Sequence, residues 1–153
     1  MQPTPPSRIL DRIVRIEPAY REFEHSGDIG IEAWGQDNAR VLENATRGLL
    51  SLMVRGEVEG KVERKLEVSS ASPEDLLVDW LSEVIASASM HGEVYGDVEV
   101  ERATAHAAWG LLRGEPVAPE RHELRFEVKA ATYHGLLLEE SGSGFHARVI
   151  FDL

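Results

Sequence analysis

The chain closes on Phe145-His146-Ala147-Arg148-Val149-Ile150-Phe151-Asp152-Leu153, and this stretch alternates between two kinds of side chain. Phe145, Ala147, Val149 and Phe151 fall on one face of an extended strand, and His146, Arg148, Ile150 and Asp152 fall on the other. Chain ends usually fray, but one this apolar is expected to be held in a sheet. Before it, Ser141-Gly142-Ser143-Gly144 reads as a hairpin loop, with Leu136 to Glu139 as the strand leading in. Thr132-Tyr133-His134-Gly135 is a turn. Upstream of it, Leu124, Phe126, Val128 and Ala130 are expected to point one way, and Glu123, Arg125, Glu127 and Lys129 the other. Val94 to Glu101 and Thr104 to Arg113 read as a strand pair.

Two helices interrupt the strands. Ser72-Pro73-Glu74-Asp75 is a helix start: Ser72 can cap, Pro73 suits the first helical position, and Asp75 can reach back to the cap. The apolar stripe Leu76, Leu77, Trp80, Leu81, Val84, Ile85 and Ala88 follows, and His91-Gly92 stops it. Asp37 caps the other helix, whose Val41, Leu42, Ala45, Leu49, Leu52 and Met53 share one face and which ends before Gly56. Lys61 to Ser69 alternates as a strand. Arg21 to His25 and Ile29 to Trp34 are short strands separated by Ser26-Gly27-Asp28. Strands and helices do not alternate throughout, which excludes a doubly wound fold. The expected architecture is α+β: a two-layer sandwich, with both helices packed on one face of a largely antiparallel or mixed sheet. Residues 1–19 form an N-terminal extension. Pro3, Pro5 and Pro6 resist regular structure, while Ile9, Leu10, Ile13 and Ile16 repeat at helical spacing. This region reads as partly disordered or as a short amphipathic helix.

Composition narrows the function. The 153 residues suffice for one domain with a real core. There are no cysteines, which excludes disulfides, thiolate nucleophiles and Cys-ligated zinc. Any metal site must use oxygen and nitrogen donors. No stretch is apolar enough to span a membrane, and the N-terminus lacks a signal-peptide pattern, so a cytoplasmic location is expected. The formal net charge is −11, and Lys61, Lys65 and Lys129 are the only lysines. Such a chain is repelled by phosphate backbones, so tight direct binding to nucleic acid is not expected. A basic protein is the easier partner. No phosphate loop, dinucleotide fingerprint, His-Glu-x-x-His pair or Gly-x-Ser-x-Gly elbow is present.

The residues with most chemical interest are carboxylates. If the last strand is ordered, Asp152 and the α-carboxylate of Leu153 lie close together and repel each other unless a cation intervenes. Asp28 is another oxygen donor with no obvious basic neighbour. These three could make a hard-oxygen site for Ca²⁺ or Mg²⁺. Equally, Asp28 could be a turn residue bonding its own backbone, and Asp152 a solvated strand end. His25 and His134 are single histidines of the sort that more often pack or face solvent. Lys129 reads as a solvated lysine, and Tyr133 as packing or hydrogen-bonding.

Three segments taken in order carry a family resemblance: His25-Ser26-Gly27-Asp28-Ile29-Gly30-Ile31, Lys129-Ala130-Ala131-Thr132-Tyr133-His134, and Ala147-Arg148-Val149-Ile150-Phe151-Asp152-Leu153. Together they resemble the archease family, which opens with a His-Thr-Ala-Asp-type motif, carries Lys-Ala-x-Thr-Tyr, and stops one aliphatic residue after an Asp. Ser26 and Gly27 replace the usual Thr-Ala, small for small. The likeness spans residues 20–153, making that region an archease-like domain. It implies a divalent metal, Ca²⁺ with Mg²⁺ or Mn²⁺ as alternatives, on Asp28, Asp152 and the Leu153 carboxylate. It implies a functional role for Lys129, with His25, Tyr133 and His134 nearby in the motifs. It implies a chain without catalytic residues of its own, and a partner: an RtcB-type RNA ligase of tRNA splicing or RNA repair, whose guanylylation and multiple turnover the archease promotes. The alternative is a metal-stabilised, chaperone-like modulator of another tRNA-processing enzyme, such as a tRNA methyltransferase. A metal-dependent hydrolase using a His as general base is the remaining reading.

Overall fold

Ser26 and Gly27 alone turn the chain from β1 (Tyr20–His25) into β2 (Asp28–Gly35), with φ of 52° and 85°. Positive φ at both central residues is the tight hairpin turn whose twist matches the strands it joins. It pairs His25 with Asp28 and puts Asp28 in the ladder as the first residue of β2. The computed structural model describes residues 19–153, so the expectations for the N-terminal extension lie outside the described residues.

The remaining elements run α1 (Asn38–Met53), β3 (Val54–Arg55), β4 (Val62–Ser69), α2 (Pro73–His91), β5 (Glu93–Ala103), β6 (Ala107–Pro116), β7 (Glu123–Leu124), β8 (Ala130–Ala131), β9 (Leu137–Ser141) and β10 (Gly144–Asp152). The fold is α+β, and every strand pair among the described residues is antiparallel. The strands divide into sheets. The larger has the order β1-β2-β10-β8, with β9 also on β10. A second has the order β4-β6-β5, and β3 pairs with β7 alone.

Both helices begin as the sequence dictates. Asp37 accepts from the Arg40 N–H at 2.8 Å, and Ser72 Oγ from the Asp75 N–H at 3.1 Å. These bonds satisfy orphan donors of each first turn. Gly92 closes α2 in the left-handed region at φ 64°. The expected return contact of Asp75 is not the one its side chain makes; its carboxylate accepts from Tyr133 instead. Helix α1 packs on β1, β2 and β10 of the larger sheet and on β5 of the second, so one core serves both sheets. Ile31, Ala33, Leu49, Leu52, Trp80, Leu81, Val100, Leu112, Ala147 and Val149 are fully buried there. Trp80 keeps its indole N–H bonded to Thr46 Oγ1 at 2.9 Å, which avoids an unsatisfied buried donor.

Two strand readings change. Residues 123–130 are not one strand: only Glu123–Leu124 and Ala130–Ala131 join ladders, and Leu124 is 54% exposed. The cause is the end of α1. The N–H groups of Arg125 and Phe126 bond the carbonyls of Met53 and Leu52, which the helix leaves without intrahelical partners. Likewise Thr104 does not start a strand. Its Oγ1 accepts from the N–H groups of His106 and Ala107, making the turn from β5 into β6.

Candidate functional site

The larger sheet has an inner and an outer face. Ile29, Ile31 and Ala33 of β2, with Ala147, Val149 and Phe151 of β10, are buried inward. Residues that alternate with them, Asp28 to Trp34 and His146 to Asp152, take the outer face. The β2–β10 register pairs Phe145 with Gly35 and runs to Phe151 with Ile29. Continued by one residue, that register would set Asp152 alongside Asp28. Directly opposed residues on one face have β-carbons about 4.5–5.5 Å apart, so the two carboxylates share one end of the outer face.

On the far side of β10, Asp152 pairs with Ala130. The same register carries Leu153 to Lys129, whose N–H donates to the Asp152 carbonyl at 2.8 Å. The backbones of Asp28, Asp152, Leu153 and Lys129 therefore lie at one end of the sheet, with Leu153 and Lys129 one residue out of step with the two aspartates. His25 joins them through its backbone as the ladder partner of Asp28. Among the described residues, neither Asp28 nor Asp152 has a basic side chain within ion-pair distance. No three His, Asp or Glu side chains among those residues converge on a point. The donors expected here, two side-chain carboxylates and the carboxylate of Leu153, would all be hard oxygens. Such a set fits a cation such as Ca²⁺, whose six to eight oxygen positions would be completed by water or a partner.

Tyr133 and His134 are not part of this convergence. The Tyr133 hydroxyl donates to Asp75 Oδ1 at 2.6 Å, tying the loop to the first turn of α2. That bond pushes its ionisation up to about 12. His134 is exposed in the turn, where its N–H reaches Thr132 Oγ1 at 3.3 Å.

Other residues of the outer face were not singled out by their spacing. Glu32 accepts from Arg21 and His146, the latter at 2.8 Å. Burial works against its charge, but the hydrogen bonds from Arg21 and His146 together outweigh it and hold its carboxyl below the usual range. The His146 ring stacks on Trp34 with centroids 5.0 Å apart. Phe23 lies over Gly30, where a β-carbon would come within 2.5 Å of its Cζ. The Arg148 guanidinium sits over the Phe23 ring, 4.3 Å from its centroid. Ile150 is 4% exposed although it faces outward, because the loop around Gly135 covers it. The alternation of the last strand placed His146, Arg148, Ile150 and Asp152 together; it did not say which strand would lie beside them. A cavity of about 200 Å³ lined by Tyr20, Arg47, Leu50, Val54, Val58 and Tyr95 among others contains none of the carboxylate-site residues.

Comparison with known proteins gives the family. Residues 20–153 match the model of the archease protein family. The chain is 34% identical over 139 residues to the protein archease of Methanosarcina mazei, covering 88% of this chain and 95% of that one. It is 35% identical over 129 residues to the protein archease of Thermococcus kodakarensis, covering 82% and 91%. The solution structure of protein 1598 of Methanobacterium thermoautotrophicum superposes with a TM-score of 0.76 at 31% identity, covering 89% of this chain and 99% of that one. A crystal structure from Thermotoga maritima, described as an archease and possible chaperone, shares the fold with a TM-score of 0.60 at 24% identity, covering 87% and 96%.

Proposed function

The chain belongs to the archease family, and we propose that it is a non-catalytic accessory protein that activates an RtcB-type RNA ligase in the cytoplasm, promoting its guanylylation and repeated turnover. The observation that supports this reading is the antiparallel β2–β10 register, which ends on Phe151 with Ile29 and so leaves Asp152 and Asp28 at the same end of the sheet, with Lys129 held to Asp152 through its backbone. Asp28, Asp152 and the Leu153 carboxylate would hold the divalent metal, which when bound supplies positive charge for oxygen ligands brought by the partner. The chain's own residues do the rest. The two strands fix the spacing of the carboxylates before the cation arrives. Lys129 is exposed and lacks an ion-pair partner among the described residues, so its ammonium is available to a phosphate or a partner carboxylate. A hydrolase reading has less support: the cavity of about 200 Å³ described above is not lined by these groups.

Multiple-turnover RNA ligation by the matching ligase, with and without this protein, tests the proposal. Wild-type protein should raise turnover. Asp28→Asn, Asp152→Asn and Lys129→Ala should each remove most of the gain, by about tenfold or more, the scale of one charge-assisted contact. Circular dichroism should remain unchanged. Full activation by the Asp28→Asn, Asp152→Asn double variant would sink the carboxylate reading.

A further inference from the structure

Basic side chains are outnumbered by acidic ones, 16 to 27, and most of those among the described residues are committed. Arg21, Arg47, Arg64, Arg113, Arg121 and Arg125 all pair with carboxylates, as do Arg40, Arg55 and Lys61. Of the lysines and arginines among the described residues, only Lys65, Arg102, Lys129 and Arg148 have no carboxylate within ion-pair distance among those residues. Lys65 and Arg102 lie in the second sheet, Arg102 stacked on Trp109. The other two are on the larger sheet, Lys129 beside Asp152 and Arg148 four residues before it on β10.

Arg148 is the more telling. Glu32 stands directly across from it in the ladder, yet gives its oxygens to Arg21 and His146. The Arg148 guanidinium instead lies over the ring of Phe23, which itself covers Gly30. Gly30 is across from Ile150, one outward step from Asp28 and Asp152. A β-carbon on Gly135, at φ 62°, would come within 3.8 Å of Arg148 Nη1, so loop backbone closes the other side. The guanidinium is thus pre-positioned between an aromatic face and a loop, with its donors unspent among the described residues.

We propose that Arg148 is an anion-binding residue for a single phosphate group, seated between its guanidinium and the Asp28–Asp152 end of the sheet. The spacing suits this ligand. Arg148 is two outward steps, about 13 Å of strand, from Asp152, but its guanidinium leans over Phe23, the ladder partner of Gly30, which is one step, about 7 Å, from Asp28. A phosphate spans that gap when two of its oxygens take a bidentate guanidinium and another faces a cation on the carboxylates. A planar guanidinium stacked on an aromatic ring is the side chain that such recognition favours over lysine. The part played by the cation rests on the carboxylate site proposed above; the part played by Arg148 does not.

The test uses the full chain, with Ca²⁺ and with a chelator. Inorganic phosphate and adenosine 3′-phosphate are titrated by calorimetry and ³¹P resonance, with adenosine as control. Both phosphates should bind and adenosine should not. Arg148→Gln should weaken phosphate binding by about tenfold or more, and Arg148→Lys should restore only part of it. Ca²⁺ affinity should stay within about twofold, because Arg148 is not a metal donor. Phe23→Leu should weaken phosphate binding less than Arg148→Gln does, since the donors remain. Unchanged phosphate affinity in Arg148→Gln overturns the proposal, and so does equal binding of adenosine and its phosphate. If Asp28→Asn abolishes Ca²⁺ binding while Arg148-dependent phosphate binding persists, the arginine assignment stands. If phosphate binds through Arg148 but the ligase is not activated, only the accessory role fails.

Discussion

Ser26 is the one non-glycine among the described residues with positive φ, and it holds the hairpin that puts Asp28 in place. An L-residue in the left-handed region costs roughly 1–2 kcal/mol, and Asn tolerates it better than Ser. Ser26→Asn should therefore raise stability by about 0.5–1 kcal/mol, read as a shift in the denaturant midpoint at unchanged slope. No gain would mean that Ser26 is held by a contact outside the backbone. A second residue prediction concerns Glu115, buried at 1% exposure. The Glu59 N–H donates to it at 2.7 Å, and His122 and Arg121 add hydrogen bonds, holding its carboxyl down at about 2. His122 Nδ1 accepts from the Ala118 N–H, so Nε2 carries the proton it gives to Glu115. A depressed carboxylate contributes stability that is fully present above its ordinary value of 4.5 and lost as pH falls through about 2. Glu115→Gln should lower stability at neutral pH and flatten the pH dependence between those limits. An unchanged acid profile would remove Glu115 from the account. None of this network was legible in the sequence, because Glu59 and His122 reach Glu115 of β6 from loops whose course no periodicity records. Asp28 and Asp152 were legible as candidates through motif and chain-end chemistry. Their adjacency needed the β2–β10 pairing.

At the scale of elements, β10 is the central strand of the larger sheet and carries both the core and the site. Its alternation was read directly from the sequence, as were both helices with their caps, since local periodicity and capping chemistry decide them. The segment from Glu123 to Ala131 misled, because the N–H groups of Arg125 and Phe126 within it go to the end of α1 and not to a neighbouring strand. Backbone partners are a tertiary matter that side-chain pattern does not encode. Phe151 is 2% exposed between the sheet and the helices, so Phe151→Ala should cost about 3–5 kcal/mol. A smaller loss in thermal unfolding would show that β10 is not the central support. Extending the chain past Leu153 separates support from site. The extension turns a carboxylate into a neutral amide while Phe151 and Val149 still pack. Ligase activation should fall while circular dichroism holds; full activation would show that the Leu153 carboxylate is dispensable.

At the scale of the whole molecule, the distribution of charge decides what the protein can approach. The formal charge is −11, and the second sheet presents Glu63, Asp97 and Glu99 around Arg113. No helix among the described residues is long and apolar enough to cross a membrane. Nucleic-acid affinity scales with the number of phosphates neutralised by Lys and Arg. Nine of the described basic side chains already have carboxylate partners, and the remaining four are split between two sheets. Arg148 could engage one phosphate; it could not track a backbone. The isolated protein should therefore bind tRNA more weakly than about 10⁻⁴ M at physiological salt, outside the range of nonspecific nucleic-acid binders. Filter binding or anisotropy with labelled tRNA reads this directly, repeated at low salt, where any attraction through the few free cations would emerge. Submicromolar binding at physiological salt would mean that the molecule meets RNA without its ligase, and the accessory role would then have to be argued from RNA recognition instead of from a protein partner.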